Sequence, residues 1–247
     1  EFNHLNISLF ASYNYLDSAN GYHRTENEIK KKFSGYKFAT GGNINYRFKF
    51  GKIGLSAVYD SINLNFGIDY RFYYKNYGWA GECAIDKNGH IATLHNFYLN
   101  TEYNISTNLM IRYYAKGYSS SFANAYSMKE NSGETGFLWA FNWNINEKWK
   151  WYNSADIAFF LEEKYLISKP SVGYKINTHF SYNIAENHLL NIKYSFDSKE
   201  KDDVDSKEHI RPTLPFYKHS VSVIYNGNFI NGAIFKLCVM YNYYNYA

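Results

Sequence analysis

At 247 residues the chain suits one all-β domain, and no shift in composition divides it. Aromatic residues reach 21%, with 27 Tyr, 19 Phe and 5 Trp, yet the mean hydropathy is −0.49. That aromatic content excludes a disordered chain, and the absence of any run of roughly 20 apolar residues excludes a helical membrane protein. Three Pro and 2 Cys exclude collagen-like and disulfide-framework classes, and a formal charge of +4 is too mild to mark a nucleic-acid binder.

The chain opens at Glu1 without a methionine or a basic-then-apolar leader, as expected of a processed chain or an excerpt of a longer one. From there, period-two alternation predicts strands near 5–15, 43–50, 53–59, 62–72, 79–85, 91–103, 108–117, 135–145, 149–160, 174–182, 190–197, 218–226 and 233–243. In 43–50, Ile44, Tyr46, Phe48 and Phe50 oppose Asn43, Asn45, Arg47 and Lys49. In 62–72, Ile62, Leu64, Phe66, Ile68, Tyr70 and Phe72 oppose Asn63, Asn65, Gly67, Asp69 and Arg71. In 135–145, Phe137, Trp139, Phe141, Trp143 and Ile145 share a face, and Leu190, Ile192, Tyr194 and Phe196 share one in 190–197.

Many of these runs approach the ~9–11 residues of a tilted membrane strand. A soluble sandwich packs its apolar faces together with Val, Leu and Ile, whereas here the apolar face is weighted to Tyr, Phe and Trp and the other to Asn and Ser. The expected fold class is all-β: an antiparallel transmembrane outer-membrane β-barrel with about 13 strands, part of a larger even-stranded barrel, in one domain over 1–247. Short links at 51–52, 76–78, 104–107, 146–148, 185–187 and 226–231 alternate with longer ones at 17–40, 118–133, 161–171 and 198–217. Such alternation matches short periplasmic turns and long external loops, with the links near Asp60 and at Asp86 to His90 short on the outer side.

No phosphate loop, CxxC pair or HExxH is present, and the expectation is of a non-enzyme with no catalytic, cofactor or metal site. Cys83 and Cys238 fall on opposite faces of the wall, which disfavours a disulfide. The acidic group Asp202, Asp203, Asp205, Glu208 and His209 reads as a solvated loop, and a hydrolase built on it is a weak third reading. The polar face places Arg47, Lys49, Arg71, Arg112, Lys116, Lys150, Lys175, Lys193 and Lys236 toward the lumen against Asp69, Glu82, Glu102, Asp156 and Asp197. Two readings stand: a lumen that favours anions, or charges that pair across strands and satisfy one another. Thr25 caps a predicted short helix with Glu28 three residues on, and the outer-loop group His23, Arg24, Lys30, Lys31 and Lys32 offers charge to lipopolysaccharide or a partner.

The stretches Gly21 to Lys32, Gly41 to Tyr46, Lys87 to Leu94, Arg112 to Tyr118, Phe122 to Ser127, Gly133 to Gly136 and Trp149 to Trp151 resemble, in order and rough spacing, the barrel region of large Bacteroidetes envelope proteins. Those proteins are named for an N-terminal helix-hairpin-helix domain of competence-protein type. The resemblance implies further strands on either side and an outer-membrane location, and the region from Asp60 to Tyr74 is shorter than that family's. No helix-hairpin-helix hairpin occurs here, so DNA binding carries over to no residue. The expected function is a channel, or the membrane-embedded component of a larger envelope complex, partnered by lipid, lipopolysaccharide and other envelope subunits. The alternative is the anchor or conduit of a DNA-uptake protein whose DNA-binding domain lies outside this chain.

Overall fold

The computed structural model describes residues 4–16, 25–30, 32, 35–122, 124–128, 131–163, 167–203, 212–228 and 234–246. They form β1 (Leu5–Leu16), α1 (Glu26–Lys30), β2 (Gly35–Phe48), β3 (Gly51–Asp60), β4 (Leu64–Tyr74), β5 (Tyr77–Asp86), β6 (Ile91–Asn100) and β7 (Ile105–Tyr114). The remainder are β8 (Glu134–Asn144), β9 (Trp149–Phe160), β10 (Ser171–Ala185), β11 (His188–Asp202), β12 (Thr213–Asn228) and β13 (Ile234–Tyr246). All 13 strands lie in one antiparallel sheet in chain order, and no pairing joins β1 to β13 among the described residues. The sheet is therefore open.

Each predicted strand has its counterpart, but several boundaries move because pairing, not local pattern, ends a strand. β2 starts at Gly35 rather than near 43, since Gly35 to Gly42 pair with Leu9 to Leu16 of β1 although their own alternation is broken by Thr40 and two glycines. β11 and β12 extend through the charged run as far as Asp202 and Thr213, where Glu200 and Lys201 lie opposite Pro215 and Leu214. β7 ends at Tyr114, three residues early, and releases a longer connection to β8. The link after Asp60 is a tight turn in which Asp60 Oδ1 accepts the Ile62 and Asn63 amides at 2.8 and 2.6 Å.

Register assigns the faces. Residues directly opposite share a face, and the row from Asn6 runs through Asn45, Gly54, Asp69, Glu82, Leu94, Arg112, Gly136, Ala158, Gly173 and Lys199. This polar face is the one against which residues 118–122 and 124–128 lie. The opposite face carries Ile7, Leu55, Phe66, Ile111, Trp139 and Ile192, among others, with Leu55 55% and Ile111 57% exposed. No second layer covers it among the described residues. The accessible surface of 17027 Å² accordingly exceeds the ~11,000 Å² of a compact protein of this mass, as a single layer must.

Stagger follows from the same row. Asn45 stands four positions from Lys49 in its turn, whereas Gly173, eight strands further on, stands thirteen from Glu186 in its own. The register thus slips about 1.1 residues, or ~3.7 Å, per ~4.8 Å strand step, which inclines the strands by ~38° to the line joining their short turns.

Candidate functional site

Three strands build the densest charged cluster on the polar face. Arg112 of β7 extends across Gly136 of β8, its Nε donating to Glu134 Oε1 at 2.6 Å and its Nη1 to Asp156 Oδ1 of β9 at 2.8 Å. Gly136 makes this reach feasible, because a Cβ there would collide with the guanidinium carbon. Arg112 and Glu134 are 0% exposed and Asp156 6%.

One guanidinium against two carboxylates leaves an excess negative charge, and a buried carboxylate needs further donors. The connection between β7 and β8 supplies them by folding onto the polar face. The Tyr126 hydroxyl donates to Asp156 Oδ2 at 3.0 Å, and the Met128 amide donates to Glu134 Oε1 and Oε2 at 2.9 and 3.1 Å. The Tyr114 hydroxyl donates to the Tyr126 carbonyl at 2.8 Å, and the Tyr126 ring faces the guanidinium at 5.3 Å. Burial, and then the Asp156 charge, push the Tyr126 hydroxyl up to about 12. Burial likewise raises Tyr118, which is 6% exposed.

The near end of this segment crosses to the other side of the polar face. The Ser119 amide donates to Asp86 Oδ2 at 3.3 Å, and Asn65 Nδ2 donates to the Ser119 carbonyl at 2.9 Å. Phe122 meets the Phe10 ring of β1 edge-on at 6.3 Å beneath Lys37 Nζ. Gly117, at φ +75°, gives the turn that starts the crossing and packs on the His90 ring, whose Nδ1 lies 2.9 Å from Asp86 Oδ2. A cavity of about 300 Å³ lies under the segment, lined by Glu82, Leu94, Tyr114, Tyr118 and Asn131 among others.

Of the residues singled out from sequence, Arg47, Arg71, Arg112, Lys150, Lys175, Lys193 and Lys236 take polar-face positions. Lys49 lies in the β2–β3 turn and Lys116 in the exposed turn after β7, so neither is on the wall; Glu102 is likewise in a turn. The alternation was read too far in each case, since a hairpin residue belongs to no pleat. Arg112 is sealed from solvent. Sequence reading omitted Lys37, Lys52, Lys199, Lys201 and Lys218 among the inward bases and Asp60, Asp86 and Glu134 among the acids, although counting parity along each strand finds them. On β2 to β9 the inward charges balance, six basic to six acidic.

In the β1–β2 connection, Thr25 and Glu28 cap each other: the Thr25 amide donates to Glu28 Oε2 at 3.1 Å and the Glu28 amide to Thr25 Oγ1 at 3.3 Å. Lys30 ends α1 and Lys32 follows in a turn, while His23, Arg24 and Lys31 lie outside the described residues, as do Asp205, Glu208 and His209. Asp202 is engaged, accepting from Thr213 Oγ1 at 2.8 Å and the Ser168 amide at 3.0 Å. Cys83 and Cys238 are both free, on the apolar and polar faces respectively.

On the apolar face three histidines and one tryptophan pair with neighbours of the same face, while Trp151 Nε1 has no hydrogen-bond partner. Tyr70 with His95, His188 with Tyr225 and Tyr194 with His219 stand at 2.7, 2.6 and 3.0 Å, and Trp139 Nε1 donates to Thr107 Oγ1 at 2.9 Å. No protein-family model, curated protein or solved structure matches this chain.

Proposed function

We propose that this sheet is the wall of a transmembrane antiparallel β-barrel in the outer membrane of a Gram-negative, Bacteroidetes-type envelope, serving as a channel or as the membrane-embedded component of a larger envelope complex. The observation that carries the reading is the uncovered apolar face, on which His95, His188, His219 and Trp139 find partners on that same face. In water such pairing is optional, whereas against hydrocarbon each unpaired polar atom costs several kcal/mol, roughly 4–8 by alkane transfer. Strands of 10 to 16 residues inclined by ~38° suit a hydrocarbon span, and the incline falls within the range of closed barrels.

Closure follows from direction. In an up-and-down sheet β1 and β13 run the same way, so an antiparallel seam needs an even strand number, supplied by further strands. The inward segment partly fills the interior, and the ends bearing the long connections face the exterior, where Lys30 and Lys32 meet lipopolysaccharide or a neighbouring subunit. A DNA-uptake role belongs to a domain outside this chain and draws on none of its described residues.

Membrane fractionation followed by electrophoresis of unheated and boiled samples tests the reading. The expected result is detergent-dependent recovery with a band whose mobility changes on boiling. Recovery of a folded, β-rich monomer from the aqueous fraction without detergent would overturn it.

A further inference from the structure

Inward charge is unevenly divided along the wall. On β10 to β13 the polar face presents Lys175, Lys193, Lys199, Lys201, Lys218 and Lys236 against Asp197 alone, a surplus of five positive charges over four strands. The β2 to β9 wall is balanced and is the part on which the described residues between 115 and 133 chiefly lie; their furthest described reach along the sheet is Met128, packed on Gly173 near the start of β10. Coverage and charge are separate observations, one set by the β7–β8 connection and the other by four strands that follow it.

Local pairing leaves much of this surplus in place. Lys199 Nζ stands 3.5 Å from Asp197, while Lys201 and Lys218 rest over the Phe216 and Tyr244 rings at 4.2 and 5.4 Å, contacts that leave the charge intact. Lys193 is exposed, with His179 and Ser222 as its cross-strand neighbours, and Lys236 is exposed opposite Asn226. A basic wall with low-dielectric material behind it concentrates anions in the water beside it.

Resting on the barrel reading above, we infer that the passage through this barrel runs along the β10–β13 wall, beside the inward segment, and that it selects small inorganic and carboxylate anions over cations. The inward segment narrows the lumen beside the balanced wall at the end of the long connections, and so directs solutes past the lysines. Selectivity of this origin weakens with salt, because the screening length contracts from about 10 Å at 0.1 M to about 3 Å at 1 M.

The full chain, purified in detergent and inserted into planar bilayers, is placed in a tenfold KCl gradient and its reversal potential read. Chloride is expected to lead potassium by roughly threefold at low salt, with the preference shrinking as salt rises. Lys175→Glu, Lys193→Glu and Lys236→Glu together invert the preference, the corresponding Gln triple abolishes it, and Arg47→Glu on the balanced wall moves it less. Boiling-dependent mobility confirms that each variant is folded. A wild-type barrel that inserts yet conducts nothing, or prefers potassium, overturns the inference, as does a Glu triple that keeps the chloride preference. Failure to insert at all instead overturns the barrel reading, which the fractionation experiment detects independently.

Discussion

The walls from β7 to β9 and from β10 to β13 alternate alike and pair alike, yet one seals Arg112, Glu134 and Asp156 at 0–6% exposure and the other leaves Lys193 and Lys236 open to water. The difference lies in what approaches each wall. Glu134 and Asp156 are buried beside Arg112 because Tyr126 and the Met128 amide add donors to the carboxylates, whereas nothing described does the same for Lys193 or Lys236. A buried ion cluster demands its full set of donors; a solvated lysine draws on water.

The largest break in that contrast is Arg112→Met, which strands two buried carboxylates and costs about 3–5 kcal/mol in denaturant unfolding from detergent. Lys193→Met on the open wall should change the same midpoint by under ~0.5 kcal/mol. Equal effects would mean that the two walls do not differ as described.

Gly136→Val comes next. Its side chain displaces the guanidinium, at about 1–3 kcal/mol, and a variant as stable as the parent would show that Arg112 does not cross β8 as described.

Tyr126→Phe sharpens the role of the segment rather than of the sheet. It removes the donor to Asp156 at about 1 kcal/mol, and limited proteolysis should cut within 115–133 faster while the strands stay resistant. The same contact gives a pH signature. Because the fold raises the Tyr126 hydroxyl from its ordinary 10.0 to about 12, the fold favours the protonated form. Its contribution is complete below pH 10 and is lost as pH climbs through about 12, so protease sensitivity of the segment should rise over that alkaline window and not below it. The smallest effect is Thr25→Ala, which opens the reciprocal cap of α1 and speeds amide exchange there by an amount equivalent to about 0.5–1 kcal/mol.

Much of the fold was legible because the side-chain period of a strand is two. Ile62 to Phe72 and Phe137 to Ile145 announce both a strand and its two faces, and Thr25 with Glu28 announces a cap. Less legible were β2 before Asn43, where Thr40 and paired glycines blur the alternation, and β11 beyond Asp197, where a charged run reads as loop until Thr213 to Lys218 pair with it. The candidate site was legible in part. Arg112 and Asp156 stood out as inward charges, but Glu134 begins its strand directly after a turn, and Tyr126 sits in a connection with no period at all.

By itself the amino-acid sequence determined the strand number and the polar and apolar faces of most strands, with Lys175, Lys193 and Lys236 on the polar side, because each follows from alternation along a single strand. Tertiary structure alone decided the ~1.1-residue slip per strand, the choice of Asp156 and Glu134 as partners for Arg112, and the folding of the described part of the β7–β8 connection onto the polar face. Those depend on register and on contacts between residues as far apart as Phe10 and Phe122, and a one-residue slip, invisible in the pattern of any one strand, would have changed every one of them.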